Sequence, residues 1–223
     1  GGGIHCDSSS PTLSYLYVSN NYAIGGGGIA TGSASPTLKY ITVTNNQSNN
    51  GGGIVVSNNG SPIIRNCVIK SNSSIYDGGG LYFGANTSNS ITENVLIYEN
   101  TCVGRGGGVW FSQTSPTIVN ATVVNNNADL GAGIYSYNNS VPTLVNSIVW
   151  DASAVGEIVQ IHETASINFT HSDVLGGWSG EGNFASNPQF YDENNRDFRL
   201  SKSSPCIGAG LDTTIVPSID IDG

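Results

Sequence analysis

One feature constrains this chain above all others: a glycine triplet followed by an aliphatic residue comes back at a nearly fixed interval. Gly1-Gly2-Gly3-Ile4 is followed by Gly26-Gly27-Gly28-Ile29, Gly51-Gly52-Gly53-Ile54, Gly78-Gly79-Gly80-Leu81, Gly106-Gly107-Gly108-Val109 and Gly131-Ala132-Gly133-Ile134. The last glycines of successive copies lie 25, 25, 27, 28 and 25 residues apart. Such a period predicts a solenoid in which each repeat is one coil.

A second segment of constant length stacks onto the first. Residues 11–21, 36–46, 62–72, 90–100, 116–126 and 142–152 align without a gap. Their columns read Leu13, Leu38, Ile64, Thr92, Ile118, Leu144; then Leu16, Ile41, Cys67, Val95, Ala121, Ser147; then Val18, Val43, Ile69, Ile97, Val123, Val149. After the glycines, Ile4, Ile29, Ile54, Leu81, Val109 and Ile134 form a fourth column, and Cys6, Thr31, Val56, Phe83, Phe111 and Ser136 a fifth. All five are expected to face inward, since alternate residues of a strand share a face. Inward positions 13, 16 and 18 depart from a strand period, so the chain must bend between 13 and 16. That bend suits a coil of several short sheets. At about 4.8 Å per coil, six coils span roughly 29 Å.

The glycines are expected where a repeated corner needs positive φ or a close backbone approach. The extra residues of the longer repeats, Ser73–Asp77 and Thr101–Arg105, are expected in turns. Two asparagine-rich columns accompany the coils: Asn21, Asn46, Asn72, Asn100, Asn126; and Tyr15, Tyr40, Asn66, Asn94, Asn120, Asn146. Stacked amides bond up and down a parallel array, so both columns are read as ladders that hold the turns. The fold class is therefore all-β, a parallel β-helix with about 25 residues per coil. Residues 1–152 form the coils, and residues 153–223, where the repeat decays, form terminal coils and an irregular carboxy-terminal cap.

Charge and composition exclude several functions. With 7 Lys+Arg against 16 Asp+Glu the net charge is −9, which disfavours nucleic acid and anionic membranes as partners. No apolar run is long enough to insert in a bilayer. Cys6, Cys67, Cys102 and Cys206 follow no disulfide or zinc spacing, and mostly free thiols are expected, Cys102 in an exposed turn. The chain has no Met and begins inside a repeat, so it reads as a piece of a longer protein with further coils upstream.

The repeat resembles the right-handed parallel β-helix of the pectate-lyase-like superfamily. More narrowly it is similar to bacterial secreted and cell-surface β-helix proteins of the choice-of-anchor type. That likeness rests on the recurrent Gly-Gly-Gly-Ile, Ser-Pro-Thr-Leu and Asn-Asn, and on the tail segments 146–150, 172–178, 182–190, 197–200 and 204–210. The resemblance implies a secreted or surface location. It does not fix an activity, because this fold carries lyases, hydrolases, adhesins and spacers alike.

Three functions compete. The outward column after the glycines is His5, Ala30, Val55, Tyr82, Trp110, Tyr135, so Tyr82, Trp110 and Tyr135 are expected to form an exposed aromatic stripe. Aromatic faces held on a rigid sheet suit sugar rings, which makes a polysaccharide or cell-surface glycan the expected partner. A purely structural stalk is the alternative. A polysaccharide lyase or glycoside hydrolase comes third and no catalytic residue is assigned: hydrolysis needs two facing carboxyl groups, and Glu93 with Arg65, like Asp77 with Arg105, reads as an ion pair. No cofactor is expected. Calcium is the one left open, since Asp220-Ile221-Asp222-Gly223 resembles the start of an oxygen-ligand loop; His162 and His171, with Glu163 and Asp173 near them, could form a metal site but read as ordinary surface histidines. The open strand edges of the first coil predict end-to-end self-association.

Overall fold

The structure is a computed structural model and describes residues 1–151, 157–162 and 164–212. Three parallel sheets form a solenoid, and each of the first five coils contributes one strand to each. The first sheet has seven strands, from Ile4–Asp7 through Leu81–Phe83 and Val109–Ser112 to Val159–Ile161. The second begins with Thr12–Ser19 and ends with the two short strands Asn168–Thr170 and Asp173–Val174. The third holds Tyr22–Gly25, Gln47–Asn50, Ser73–Asp77, Thr101–Arg105 and Asn127–Leu130.

The pairing register follows the columns in the sequence. Ile4 pairs Ile29, Ile29 pairs Ile54, Leu81 pairs both Ile54 and Val109, and Val109 pairs Ile134. The inward columns make one continuous core, with Phe83 stacked on Phe111 at 5.4 Å. The bend falls where the spacing requires it. Tyr15, Tyr40, Asn66, Asn94, Asn120 and Asn146 all have positive φ, between 51° and 58°. Asparagine tolerates that left-handed conformation far better than most residues, which explains the amide-rich column at this place.

The glycine corner needs both properties expected of it. From the second copy on, the first glycine has positive φ, 64° at Gly78 and 69° at Gly106. The second lies against the next coil's backbone: a Cβ on Gly79 would sit 2.4 Å from the Gly107 carbonyl oxygen.

Two expectations need correcting. Ser73–Asp77 and Thr101–Arg105 are strands of the third sheet, and their extra residues are absorbed as register shifts on the strands. Cys102 is buried, 4 % exposed, because it faces inward in the column Ala23, Ser48, Ser74, Cys102, Ala128. The four cysteines are all free thiols.

The tail does more than close the end. Trp178 covers the last coil, edge-on to Phe169 at 5.3 Å, and donates its indole N–H to the Ile167 carbonyl. The chain then turns back along the outer flank of the second sheet. A small antiparallel pair, Phe190–Asp192 with Asp197–Leu200, packs Phe198 onto Tyr98, Val124 and Trp150. Arg196 reaches Glu99 at 2.5 Å, across 97 residues of chain.

Candidate functional site

The expected aromatic stripe exists in register but not in exposure. Tyr82 pairs Trp110 and Trp110 pairs Tyr135 on the first sheet. Trp110 is only 5 % exposed and Tyr135 3 %, while Tyr82 is half-buried. Two features cover them. Tyr82 and Trp110 stack at 4.3 Å, so each spends a ring face on its neighbour. The corner glycines also lean over the side-chain stems: a Cβ on Gly106 would lie 2.9 Å from the Cβ of Trp110.

Arg105 completes the cover. Its guanidinium lies 5.8 Å from the centre of the Tyr135 ring and 5.1 Å from that of Tyr137, and it bonds both carboxylate oxygens of Asp77, at 2.7 and 3.1 Å. Burial pushes the Asp77 carboxyl up from its ordinary range, and burial likewise raises the Tyr82 phenol. The Trp110 indole N–H is buried and has no hydrogen-bond partner among the described residues. Trp110 and Tyr135 are packed on this face, and Tyr82 and Tyr137 are half-buried.

The open concavity lies elsewhere. A groove of about 900 Å³ runs between the outer bend of the second sheet and the returning tail. Its floor carries Asn94, Asn120 and Asn146 from three successive coils, all in the positive-φ column, with Thr122 beside them. Its apolar wall is Leu96 and Ile148 against Phe198. Arg196 to Leu200 form the opposite rim. One carboxylate lines it, Asp197, whose pKa is held below the usual carboxylate range by its side-chain bonds to Arg199.

The sequence marks Asn94, Asn120 and Asn146 as a structural ladder and does not mark them as a site. The signal was present in the 13-to-16 spacing, which marks the bend, and in the change from Tyr to Asn along that column. What was missing was the tail, which makes the second wall. Among the other expected contacts, Arg65 meets Glu93 at 2.6 Å and Arg105 meets Asp77. His162 stacks edge-on against Tyr137. Asp173 is buried and accepts from the Ser186 N–H and the Cys206 thiol. Among the described residues no three His, Cys, Asp or Glu side chains gather as a metal site. Glu163 and Asp220-Ile221-Asp222-Gly223 lie outside the described residues.

Three parallel sheets stacked coil on coil and a continuous core of aligned inward columns define a parallel β-solenoid. The chain belongs to the right-handed β-helix family, whose model, described as "Right handed beta helix region", matches residues 2–174. No curated protein and no solved structure matches it.

Proposed function

We propose that this chain is a display and binding module of a bacterial secreted or cell-surface protein, and that it holds a polysaccharide or cell-surface glycan in the groove between the second sheet and the tail. The observation that carries the reading is the groove's lining. Carboxamides arrive from three coils on a rigid floor, with a hydroxyl and guanidinium groups beside them and an apolar wall opposite. Polyhydroxylated ligands need placed donors and acceptors on a preformed surface with some apolar contact, and preorganisation limits the ordering cost of binding.

The reading is non-catalytic. The groove offers a single carboxylate, engaged by Arg199, whereas glycoside hydrolysis uses two facing carboxyl groups. A stalk without a ligand is the second reading, favoured by the uninterrupted buried amide ladder that stiffens the solenoid axis. End-to-end association belongs to the same proposal, because the strands Ile4–Asp7, Thr12–Ser19 and Tyr22–Gly25 each pair on one side only. A sedimentation profile that stays monomeric at high concentration would count against that part.

The test is retention of the chain on a panel of immobilised polysaccharides, with calcium and with chelator, beside Thr122→Trp. That substitution fills the groove floor from a half-buried outward position and leaves the core untouched. Retention that survives chelation and is lost in Thr122→Trp supports the reading. No retention on any polymer leaves the stalk.

A further inference from the structure

We infer that the groove recognises a sugar bearing an acetamido group, and that Asn120 is the residue that selects it. The inference rests on the glycan reading above and names the ligand class.

It starts from a break in a ladder. Asn94 donates its Nδ2 to Asn66 Oδ1 at 3.0 Å, and Asn120 donates its Nδ2 to Asn94 Oδ1 at 3.1 Å. The next rung is missing. Asn146 turns away, donating its Nδ2 to the Leu211 carbonyl at 2.9 Å and accepting the Leu211 N–H on Oδ1 at 2.7 Å. Asn120 Oδ1 is therefore the acceptor end of the ladder, with no rung above it, and Asn120 lines the groove.

The Asn146 pair shows what a carboxamide of this column does once it leaves the ladder: it bonds amide groups, here the N–H and the C=O of Leu211, which belong to two successive peptide units. One coil away, the groove offers the same chemistry split over two residues. Asn120 Oδ1 accepts. Arg196 supplies a donor, since its Nε is bound to Glu99 and its Nη1 to the Asn194 carbonyl, which leaves Nη2. Leu96, Ile148 and Phe198 provide the apolar wall. An acceptor, a donor and an apolar surface complement the N–H, the C=O and the methyl of an acetamido group. A site built to bond an amide also discriminates strongly against an analogue that lacks it, because its polar groups are then left unpaired.

A peptide presents the same secondary amide, but the column argues for isolated amides. A peptide strand lying along the coils would bring an amide at every residue, and the next carboxamide, Asn94, is spent in both directions of the ladder. One amide anchor beside a hydroxyl fits a polymer whose amides are spaced by sugar rings.

The experiment is calorimetric titration of the full chain with four probes: an N-acetylglucosamine tetramer, the corresponding glucose tetramer, a mixed-sugar oligomer without amides drawn from the polysaccharide panel, and an N-acetylated tetraalanine amide. Each is run against wild type, Asn120→Gly and Asn66→Gly. Glycine accepts the positive φ at both positions, so neither variant strains the bend. The N-acetylglucosamine tetramer is expected to bind about tenfold more tightly than the glucose tetramer, the effect of one well-placed hydrogen bond. Asn120→Gly should erase that difference. Asn66→Gly, at the far end of the same ladder, should keep it, and both variants should melt near wild type. Equal binding of acetylated and unacetylated sugars overturns the acetamido inference and leaves the glycan reading intact. Binding of the peptide alone overturns both.

Discussion

The solenoid carries two columns of asparagine in the same coils, and they serve opposite ends. Asn21, Asn46, Asn72, Asn100 and Asn126 stack as an unbroken ladder, each amide donating to the carboxamide oxygen of the next at 2.9 to 3.0 Å. Each Nδ2 from Asn46 onward also reaches a strand carbonyl one coil back, such as Val18 and Ile69. Asn46, Asn72 and Asn100 are wholly buried. The bend column holds Asn66, Asn94, Asn120 and Asn146, mostly half-buried, and its ladder stops at Asn120. The residue type is the same and so is the repeat. What differs is where the ladder opens: the members of the first from Asn46 to Asn126 are all satisfied and are structure, and the second opens beside a groove, where a free acceptor is a place to bind.

The largest effect should come from the closed column. The Asn100 side chain makes four hydrogen bonds, two from Asn72 and one each to Asn126 and the Ile69 carbonyl. Asn100→Ala orphans several buried groups at once, so a loss of about 4 kcal/mol is expected by urea denaturation, at the upper end for a single substitution. A loss below about 1 kcal/mol would mean the two columns do not differ in kind.

A second contrast concerns the aromatic column, where burial reverses the functional expectation. Trp110→Ala should cost about 3 kcal/mol by removing a packed ring, and should leave glycan binding in the groove unchanged. Trp110→Phe should cost less, since it keeps most of the stack and removes an indole N–H that has no partner. A melting temperature unaffected by Trp110→Ala, together with lost binding, would restore the stripe as the site.

The sequence displayed the coil but not its flanks. Inward columns of Ile, Leu and Val repeat visibly, and the 13-to-16 spacing located a bend that the structure finds at Asn66 and its counterparts. The third sheet escaped because its inward column, Ala23, Ser48, Ser74, Cys102 and Ala128, is small and partly polar and reads like turn. The burial of Trp110 escaped because alternation assigns a face to a residue without saying what lies over that face. The groove escaped because its second wall comes from contacts such as Arg196 to Glu99 and Leu211 to Asn146, set by no local pattern.

The tail is what opens the second column, so loosening it should alter that column alone. Asn146→Gly removes both bonds to Leu211 without straining the bend. Amide hydrogen exchange at Leu211 should quicken, while global stability falls by no more than about 1 kcal/mol. Unchanged exchange at Leu211 would show that the Asn146 pair does not hold the tail.

The smallest effect concerns how the tail is fastened to the last coil. Asp173 is buried and binds the Ser186 N–H through one oxygen and the Cys206 thiol through the other, at 3.2 Å. Burial pushes the Asp173 carboxyl above its ordinary range. Burial, reinforced by that carboxylate, pushes the Cys206 thiol up to about 12, so the thiol stays a donor at neutral pH. The folded state therefore holds the Asp173 proton more tightly than the unfolded chain does. Its contribution to stability is complete below the unfolded pKa and is lost as pH rises through the raised folded value. In Asp173→Asn the side chain is neutral throughout, so the variant should gain on wild type as pH climbs from about 4 towards neutrality. Denaturation midpoints of the two proteins across that range read the difference directly. Parallel curves would mean that the tail is held by Phe198 against Tyr98 and Trp150, and that the polar fastening at Asp173 plays no part in keeping the second column open.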